Sequence, residues 1–242
     1  MRKILSRTRR AIDDYHMIED GDKIAVGVSG GKDSLTLLCA LSELRRFYPK
    51  KFSIIAVSLD MGFGNMDFSG VKRLCDELDV PYILKKTDIA EVVFNVRQES
   101  NPCSLCAKMR RGGVNDTAVE HGCNKVALGH HNEDVLETFF LSLFYEGRLG
   151  CFSPVTYLSR KDIHVMRPMI YVAEGDIKGY LTRARLPVVH NMCPMDGKSK
   201  RQEMKDFINN CKRKDKFFKT KILHAIQTGL PDWQLSNAGI RD

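Results

Sequence analysis

Four short apolar runs, residues 23–28, 53–59, 82–86 and 125–129, alternate with stretches that carry the 3.6-residue period of helices. Strands joined by helix-length connections lead to a parallel sheet with crossover helices rather than to hairpins. Helices are expected over 32–48, 70–79 and 102–121, the first two ending just before Pro49 and Pro81. A weaker fifth strand at 163–167 precedes a helix from Glu174 to Arg185, which Pro187 stops. The fold class is therefore α/β, a doubly wound parallel sheet of about five strands. Segment 132–146 sets Val135, Leu136, Phe139, Phe140, Leu143 and Phe144 on one stripe at helical spacing, which is read as core.

Three stretches differ in character. Residues 1–20 form a helical arm with Arg2, Lys3, Arg7, Arg9 and Arg10, residues 21–197 form the α/β domain, and residues 198–242 form a basic helical tail. In the tail, Lys200, Arg201, Lys205, Lys212, Arg213, Lys214, Lys216, Lys219 and Lys221 interleave with Met204, Phe207, Ile208, Phe217 and Phe218. The segment from Pro231, Asp232 and Trp233 onward has no assigned role.

A chain of 242 residues, 43% hydrophobic, can bury a sizeable core. No apolar run approaches the roughly 20 residues of a spanning helix, and Met1-Arg2-Lys3-Ile4-Leu5 lacks a signal peptide's apolar centre, so a cytoplasmic location without a membrane partner is expected. Eight cysteines in a reducing compartment are then packing residues, ligands or nucleophiles rather than a disulfide framework. The net charge of +8 and a pI of about 9.1 favour a polyanionic partner, nucleic acid first.

The first run feeds Ser29-Gly30-Gly31-Lys32-Asp33-Ser34. Two glycines let backbone approach an anion, the following helix aims its N–H groups at the same spot, and Lys32, Ser29 and Ser34 add a cation and hydroxyls. The spacing matches neither a dinucleotide fingerprint nor an ordinary P-loop. The fourth run leads into Gly129-His130-His131-Asn132-Glu133-Asp134, at the carboxyl end of a strand beside the first, where ligands bind across a switch point. Asp134, with Asp33 second, is the carboxylate suited to Mg²⁺. The histidines are either turn residues at a helix entrance or direct participants.

Asn101-Pro102-Cys103-Ser104-Leu105-Cys106 starts the third helix, with Asn101 as N-cap and Pro102 at the first helical position. Cys103 and Cys106, three apart, share a face close to Lys108, Arg110 and Arg111. Taken alone, such a pair fits a zinc site, a redox pair, cluster ligands or coincidence. A late Cys193 in Asn191-Met192-Cys193-Pro194 carries the Cys-Pro step of some iron–sulfur sites. Cys39, Cys75, Cys123, Cys151 and Cys211 are read as packing residues.

The hexad resembles the signature of the PP-loop ATP pyrophosphatases, which cleave ATP between its α and β phosphates and adenylate a substrate oxygen. Taken with Pro102-Cys103-Ser104-Leu105-Cys106-Ala107-Lys108-Met109-Arg110-Arg111-Gly112, the Gly-His-His motif, Arg167-Pro168 and Cys193, the sequence resembles the tRNA 2-thiocytidine synthetase family over roughly residues 20 to 210. The resemblance implies that Ser29, Gly30, Gly31, Lys32, Asp33, Ser34, Gly129 and Asp134 bind ATP with Mg²⁺. It also implies that Lys32, Asp33, Asp134 and Arg110 take part in catalysis. Cys103, Cys106 and Cys193 would hold a [4Fe-4S] cluster with one iron free of protein ligands. Partners implied are tRNA, a sulfur donor (a cysteine desulfurase or sulfide) and a second copy in a homodimer. The phosphates of tRNA would meet Arg110, Arg111, the arm and the tail. Alternatives are 2-thiouridine synthesis, lysidine-type ligation, a persulfide relay without a cluster, and a non-catalytic zinc-containing nucleic-acid module.

Overall fold

The computed structural model describes residues 1–64, 66–97, 102–189 and 200–235. β1 (Asp22–Gly27), β2 (Phe52–Asp60), β3 (Tyr82–Lys86), β4 (Lys125–Ala127), β5 (Val155–Leu158) and β6 (Ile163–Met166) form one sheet in the order β3-β2-β1-β4-β6-β5. Neighbours pair in parallel except β5, which runs antiparallel to β6, with Val155 opposite Met166. The sequence pattern missed β5. It is four residues long, sits at the edge and leaves Tyr157 exposed, so it lacks the apolar signal of a doubly covered strand.

Alternation within the inner strands sorts side chains onto two faces. Ile24 and Val26 of β1 and Ile54 and Ala56 of β2 enter one core, while Ala25, Ile55, Val57 and Leu59 enter the other. Both faces are buried, which is why these strands read as nearly continuous apolar runs. The first core takes α1 (Arg2–Asp14), α2 (Lys32–Leu44), α3 (Ser69–Glu77), α5 (Asn132–Tyr145) and α6 (Glu174–Ala184). The second takes α4 (Pro102–Glu120) and a π-helical turn at Glu91–Val96. α2 ends at Leu44, four residues before the expected limit, and β4 stops at Ala127, so Gly129 lies beyond the strand.

The arm and the tail pack on the first core. α1 buries Ile4, Thr8, Ala11 and Ile12, one stripe at helical spacing. α7 (Lys200–Lys214) and α8 (Phe218–Gly229) lie on α5, where the Phe140 ring meets Phe207 at 5.2 Å and Phe218 at 6.0 Å. Phe144, expected in the core, lies in the last turn of α5 and is 51% exposed, its ring meeting Phe140 and Phe207 and otherwise left to solvent.

A 3₁₀ turn at Pro231–Trp233 then returns to the arm. Trp233 is fully buried, edge-on to Tyr15 at 6.0 Å, and its indole N–H donates to Phe152 O at 3.1 Å. Its own carbonyl accepts from the Tyr15 hydroxyl at 3.1 Å. The segment without a sequence-based role thus closes the first core. Among the described residues no helix is long and apolar enough to cross a membrane.

Candidate active site

β1 delivers the chain to the switch point between β1 and β4. Val28 N–H donates to Val57 O at 2.8 Å, and Val28 O accepts from Ser58 Oγ at 2.6 Å, so the strand is held straight up to the turn. Gly30 then takes φ +81°, and a Cβ there would lie 2.5 Å from Val189 Cγ2. Conformation and space both demand glycine. Val189 is that close because its N–H donates to Gly30 O at 3.0 Å, which fastens the chain beyond α6 to the turn.

Two hydroxyls close the turn on itself. Ser34 Oγ donates its one proton to Gly31 O at 3.0 Å, and therefore accepts from Ser29 N–H at 3.1 Å and Ser29 Oγ at 3.2 Å. Gly31 is the N-cap of α2 and no side chain caps the helix, so first-turn N–H groups and the positive helix end remain directed at an anion. Gly129 abuts this turn. A Cβ on it would stand 3.0 Å from Asp33 C and Ser34 N, backbone atoms with no freedom to move aside.

The cleft so formed encloses about 410 Å³. Its β2 side is apolar, with Val57, Leu59, Met61 and Met66, and the hexad contributes Ser29, Gly31, Asp33 and Ser34 at its centre. The β4 side brings Gly129, His130 and Asp134, and α4 crosses it with Ala107, Arg110, Arg111 and Val114. Gly30 faces Val189, and Lys32 turns to Asp33 at 2.7 Å and Glu174 at 3.4 Å, so neither contributes to the lining. Burial opposes the Lys32 charge, but Asp33 and then Glu174 outweigh it and raise the ammonium pKa.

Acidic groups of α5 and α6 meet the tail. Asp134 Oδ2 accepts from its own N-cap, His131 N–H, at 2.9 Å, while Oδ1 faces Arg201 Nη1 at 3.0 Å. Arg201 also reaches Glu137 at 3.4 Å. Lys205 pairs with Glu174 at 3.1 Å and Lys219 with Glu133 at 2.9 Å. Burial would raise the carboxyl of Glu133, but His131, Lys219 and the Glu174 N–H hold it well below the usual range. Glu174 is likewise brought down to about 2, its lysine partners overriding burial. His131, 4% exposed, sits among Asp33, Glu133 and Asp134, and these outweigh its burial and raise its pKa. Arg201, Lys205 and Lys219 are therefore tied to carboxylates, and in the arm Arg7 pairs with Asp176 at 2.8 Å. Fewer of the cations are free of carboxylates than the sequence count implies; Arg110 and Arg111 line the cleft, and Lys212, Arg213 and Lys214 are among those left exposed.

His130 differs from its neighbour. Burial first, then the Arg167 charge, push its pKa down to about 4, so the ring is neutral at physiological pH. The ring packs on Phe152 at 4.8 Å, and the Arg167 guanidinium lies over the same Phe152 ring at 5.1 Å. Arg167 is fixed by Ser153 O at 2.6 Å and Thr156 Oγ1 at 3.3 Å. Among the described residues, His130 Nδ1 and Arg167 Nε are buried without hydrogen-bond partners.

On α4, Cys103 is exposed and Cys106 half-buried. Cys103 extends by one turn the stripe whose Ala107, Arg110, Arg111 and Val114 line the cleft. Cys106 packs with Leu105 and Met109 against the second core. Asn101 and Cys193 lie outside the described residues. Of the remaining cysteines, Cys39, Cys75 and Cys123 are buried, and burial pushes Cys75 and Cys151 up to about 12, which suits packing rather than chemistry.

Sequence reasoning missed Glu133, Glu174, Arg201 and Phe152. Glu133 stood beside Asp134 in a motif already singled out. Glu174 lies 41 residues further on, and its part depends on packing that no local pattern signals.

Comparison with known proteins agrees with this architecture. A PP-loop domain model matches residues 3–211. The tRNA-cytidine(32) 2-sulfurtransferase of Geotalea daltonii is 36% identical over 233 residues, 95% of this chain and 92% of that one. The protein of the same name from Syntrophotalea carbinolica is 37% identical over 244 residues, covering 100% and 94%. The solved structure of the U34-tRNA thiolase NcsA from Methanococcus maripaludis, with its [4Fe-4S] cluster, superposes with a TM-score of 0.76 at 23% identity, over 92% of this chain and 77% of that one. That likeness supports the shared α/β fold. With the glycine turn, the Gly-His-His exit and the cleft between them in place, the chain belongs to the PP-loop family of tRNA 2-sulfurtransferases.

Proposed function

We propose that this chain uses ATP to convert a tRNA cytidine, at position 32 by the name of its relatives, into 2-thiocytidine. It is an ATP-dependent tRNA sulfurtransferase, and the observation that carries its mechanism is the uncapped, glycine-cradled N-terminus of α2 in a cleft also lined by α4. The α2 N–H groups and the hydroxyls of Ser29 and Ser34 suit the phosphates of ATP, and the apolar wall of Val57, Leu59, Met61 and Met66 suits its adenine.

Chemistry proceeds in two displacements. The cytosine O2 attacks the α-phosphate and pyrophosphate leaves, so that a poor leaving group becomes an adenylate. Sulfide then adds at C2 and AMP departs with the former O2. Lys32, kept charged by Asp33 and Glu174, and Arg110 on the cleft wall would stabilise charge that grows on the phosphates. Asp33 and Asp134 are the carboxylates available to Mg²⁺, which would add positive charge at the same phosphates.

Cys103 and Cys106, one turn apart at the start of α4, offer two thiolates of the kind a [4Fe-4S] cluster takes, with Cys193 as third ligand. The bound cluster would supply an iron with an open position for hydrosulfide. The chain's own part is to hold Cys103 on the helix stripe that leads into the cleft. Sulfide completes the substrate set; sulfur carried by a cysteine desulfurase as a persulfide needs a thiol reductant, which takes the two-electron oxidation to disulfide, to be released as sulfide.

Formation of AMP and pyrophosphate from ATP, followed with and without tRNA, tests this reading. Turnover should require tRNA and fall at least a hundredfold in Lys32→Ala. ATP cleavage to ADP and phosphate would contradict it.

A further inference from the structure

The cleft has three parts, and only two are accounted for by ATP. The β2 side is apolar and the centre is the phosphate turn, so the β4 side remains for the acceptor base. Beyond β4 this wall is built by Leu128, Gly129, His130 and Asp134, and His130 is the one of these four whose side chain can donate an N–H hydrogen bond while neutral.

Its surroundings hold it as a fixed, neutral hydrogen-bonding group. One face packs on Phe152, whose carbonyl is tied to the Trp233 indole, and Arg167 over the same Phe152 ring is anchored on Ser153 and Thr156. The buried nitrogen, Nδ1, has no acceptor for a proton among the described residues, and the charges around the ring include Arg167 just after β6, Arg201 from α7, and Asp134 and His131 from the α5 entrance. A buried N–H without an acceptor costs about 1–3 kcal/mol, and a proton on Nδ1 would be repelled by Arg167. The neutral ring therefore carries its proton on Nε2. Arg167 Nε–H is likewise buried and unpartnered among the described residues, and the Arg167 charge disfavours a proton on the ring.

We propose that His130 is a specificity-determining residue that donates from Nε2 to N3 of the acceptor base and so selects cytosine over uracil. Cytosine presents an unprotonated N3, whereas uracil presents N3–H, which would face the imidazole donor head-on. Arg167 acts through His130 as a positioning residue, keeping the Nδ1 lone pair inward. The proposal rests on the reading that the chain thiolates a tRNA pyrimidine.

The test uses full-length protein, reconstituted anaerobically, with two tRNA transcripts that carry C or U at the target position. Thiolated nucleoside is quantified by mass spectrometry, and ATP affinity is measured by calorimetry on the same preparations. His130→Ala should lose about tenfold to a hundredfold in kcat/KM on the C transcript, the range expected when a buried hydrogen bond goes unmade. Its C-to-U preference should collapse while ATP affinity stays within about twofold of wild type. His130→Gln, which keeps a donor, should regain part of the preference. Arg167→Gln should shift the pH profile of the preference, a readout that loss of packing alone would not move. An unchanged C-to-U ratio in His130→Ala, or loss of ATP affinity in step with thiolation, would overturn the proposal and leave the thiolation reading standing. Wild-type protein that thiolates neither transcript would overturn both.

Discussion

Gly129 is held to glycine by backbone atoms, which cannot move aside as a side chain can. It has an ordinary backbone, yet a single methyl group would press on the carbonyl carbon of Asp33 and the amide of Ser34 at 3.0 Å. Gly129→Ala is expected to push the first turn of α2 out of line and raise the KM for ATP more than tenfold, about 1.4 kcal/mol, with a small change in melting temperature. Steady-state kinetics and a thermal melt on the same preparation check the pair of outcomes. Titrating residues give a second expectation. The carboxyls of Glu174 and Glu133 lie below their ordinary value of 4.5 in the folded protein, so the stability they contribute is present above that pH. It is lost as pH falls from about 4.5 toward 2, as the unfolded chain takes up protons first. Urea midpoints across that window should fall, and Glu174→Gln should flatten the slope. An unchanged slope would place the acid sensitivity elsewhere.

Helices α7 and α8 show how an element's charge can mislead. In sequence they read as a nucleic-acid grip, since nothing in a run of lysines tells which of them will face carboxylates on α5 and α6. Packing divides them. Arg201, Lys205 and Lys219 face Asp134, Glu174 and Glu133, while Lys212, Arg213 and Lys214 remain exposed. Replacing the exposed three by Glu should weaken tRNA binding and lower the salt slope of log K by about 0.7–0.9 for each phosphate left without its cation, with melting unchanged. Lys219→Ala should do the reverse, lowering the melting temperature with the salt slope intact. The strands were more legible than these helices. β1 and β2 are covered on both faces and announce themselves as apolar runs, and β3, though an edge strand with Leu84 exposed, keeps Tyr82, Ile83 and Leu84 in sequence, whereas β5 at the other edge left no such trace. The hexad, the Gly-His-His exit and the paired thiols of α4 were legible because each is local in sequence. The neutral state of His130 was not, since it comes from Phe152 and Arg167.

On the scale of the molecule, the arm and the turn at Trp233 close on each other and the site is tied to both. Trp233 fills the first core against Tyr15 and is hydrogen-bonded to Phe152, whose ring in turn supports His130. Trp233→Ala should cost about 3–5 kcal/mol in urea unfolding, and it should also reduce thiolation in protein that remains folded. A second tie crosses the cleft, where Val189 is held by Gly30 of the hexad and Arg201 by Asp134 of the second motif. Between these two anchors runs the stretch that contains Cys193. Both ends of that stretch are therefore attached to ATP motifs, an arrangement that suits a reaction in which adenylation and sulfur delivery share one base. The central claim is that a single chain performs both halves. Its most direct measurement is mass spectrometry of nucleosides from tRNA incubated with anaerobically reconstituted protein, ATP and sulfide, with AMP counted in parallel. 2-Thiocytidine should form in one-to-one ratio with AMP and be absent with both Lys32→Ala and Cys103→Ala, with ATP binding retained in Cys103→Ala. Sulfur incorporation without ATP, or full thiolation by Cys103→Ala, would contradict that claim.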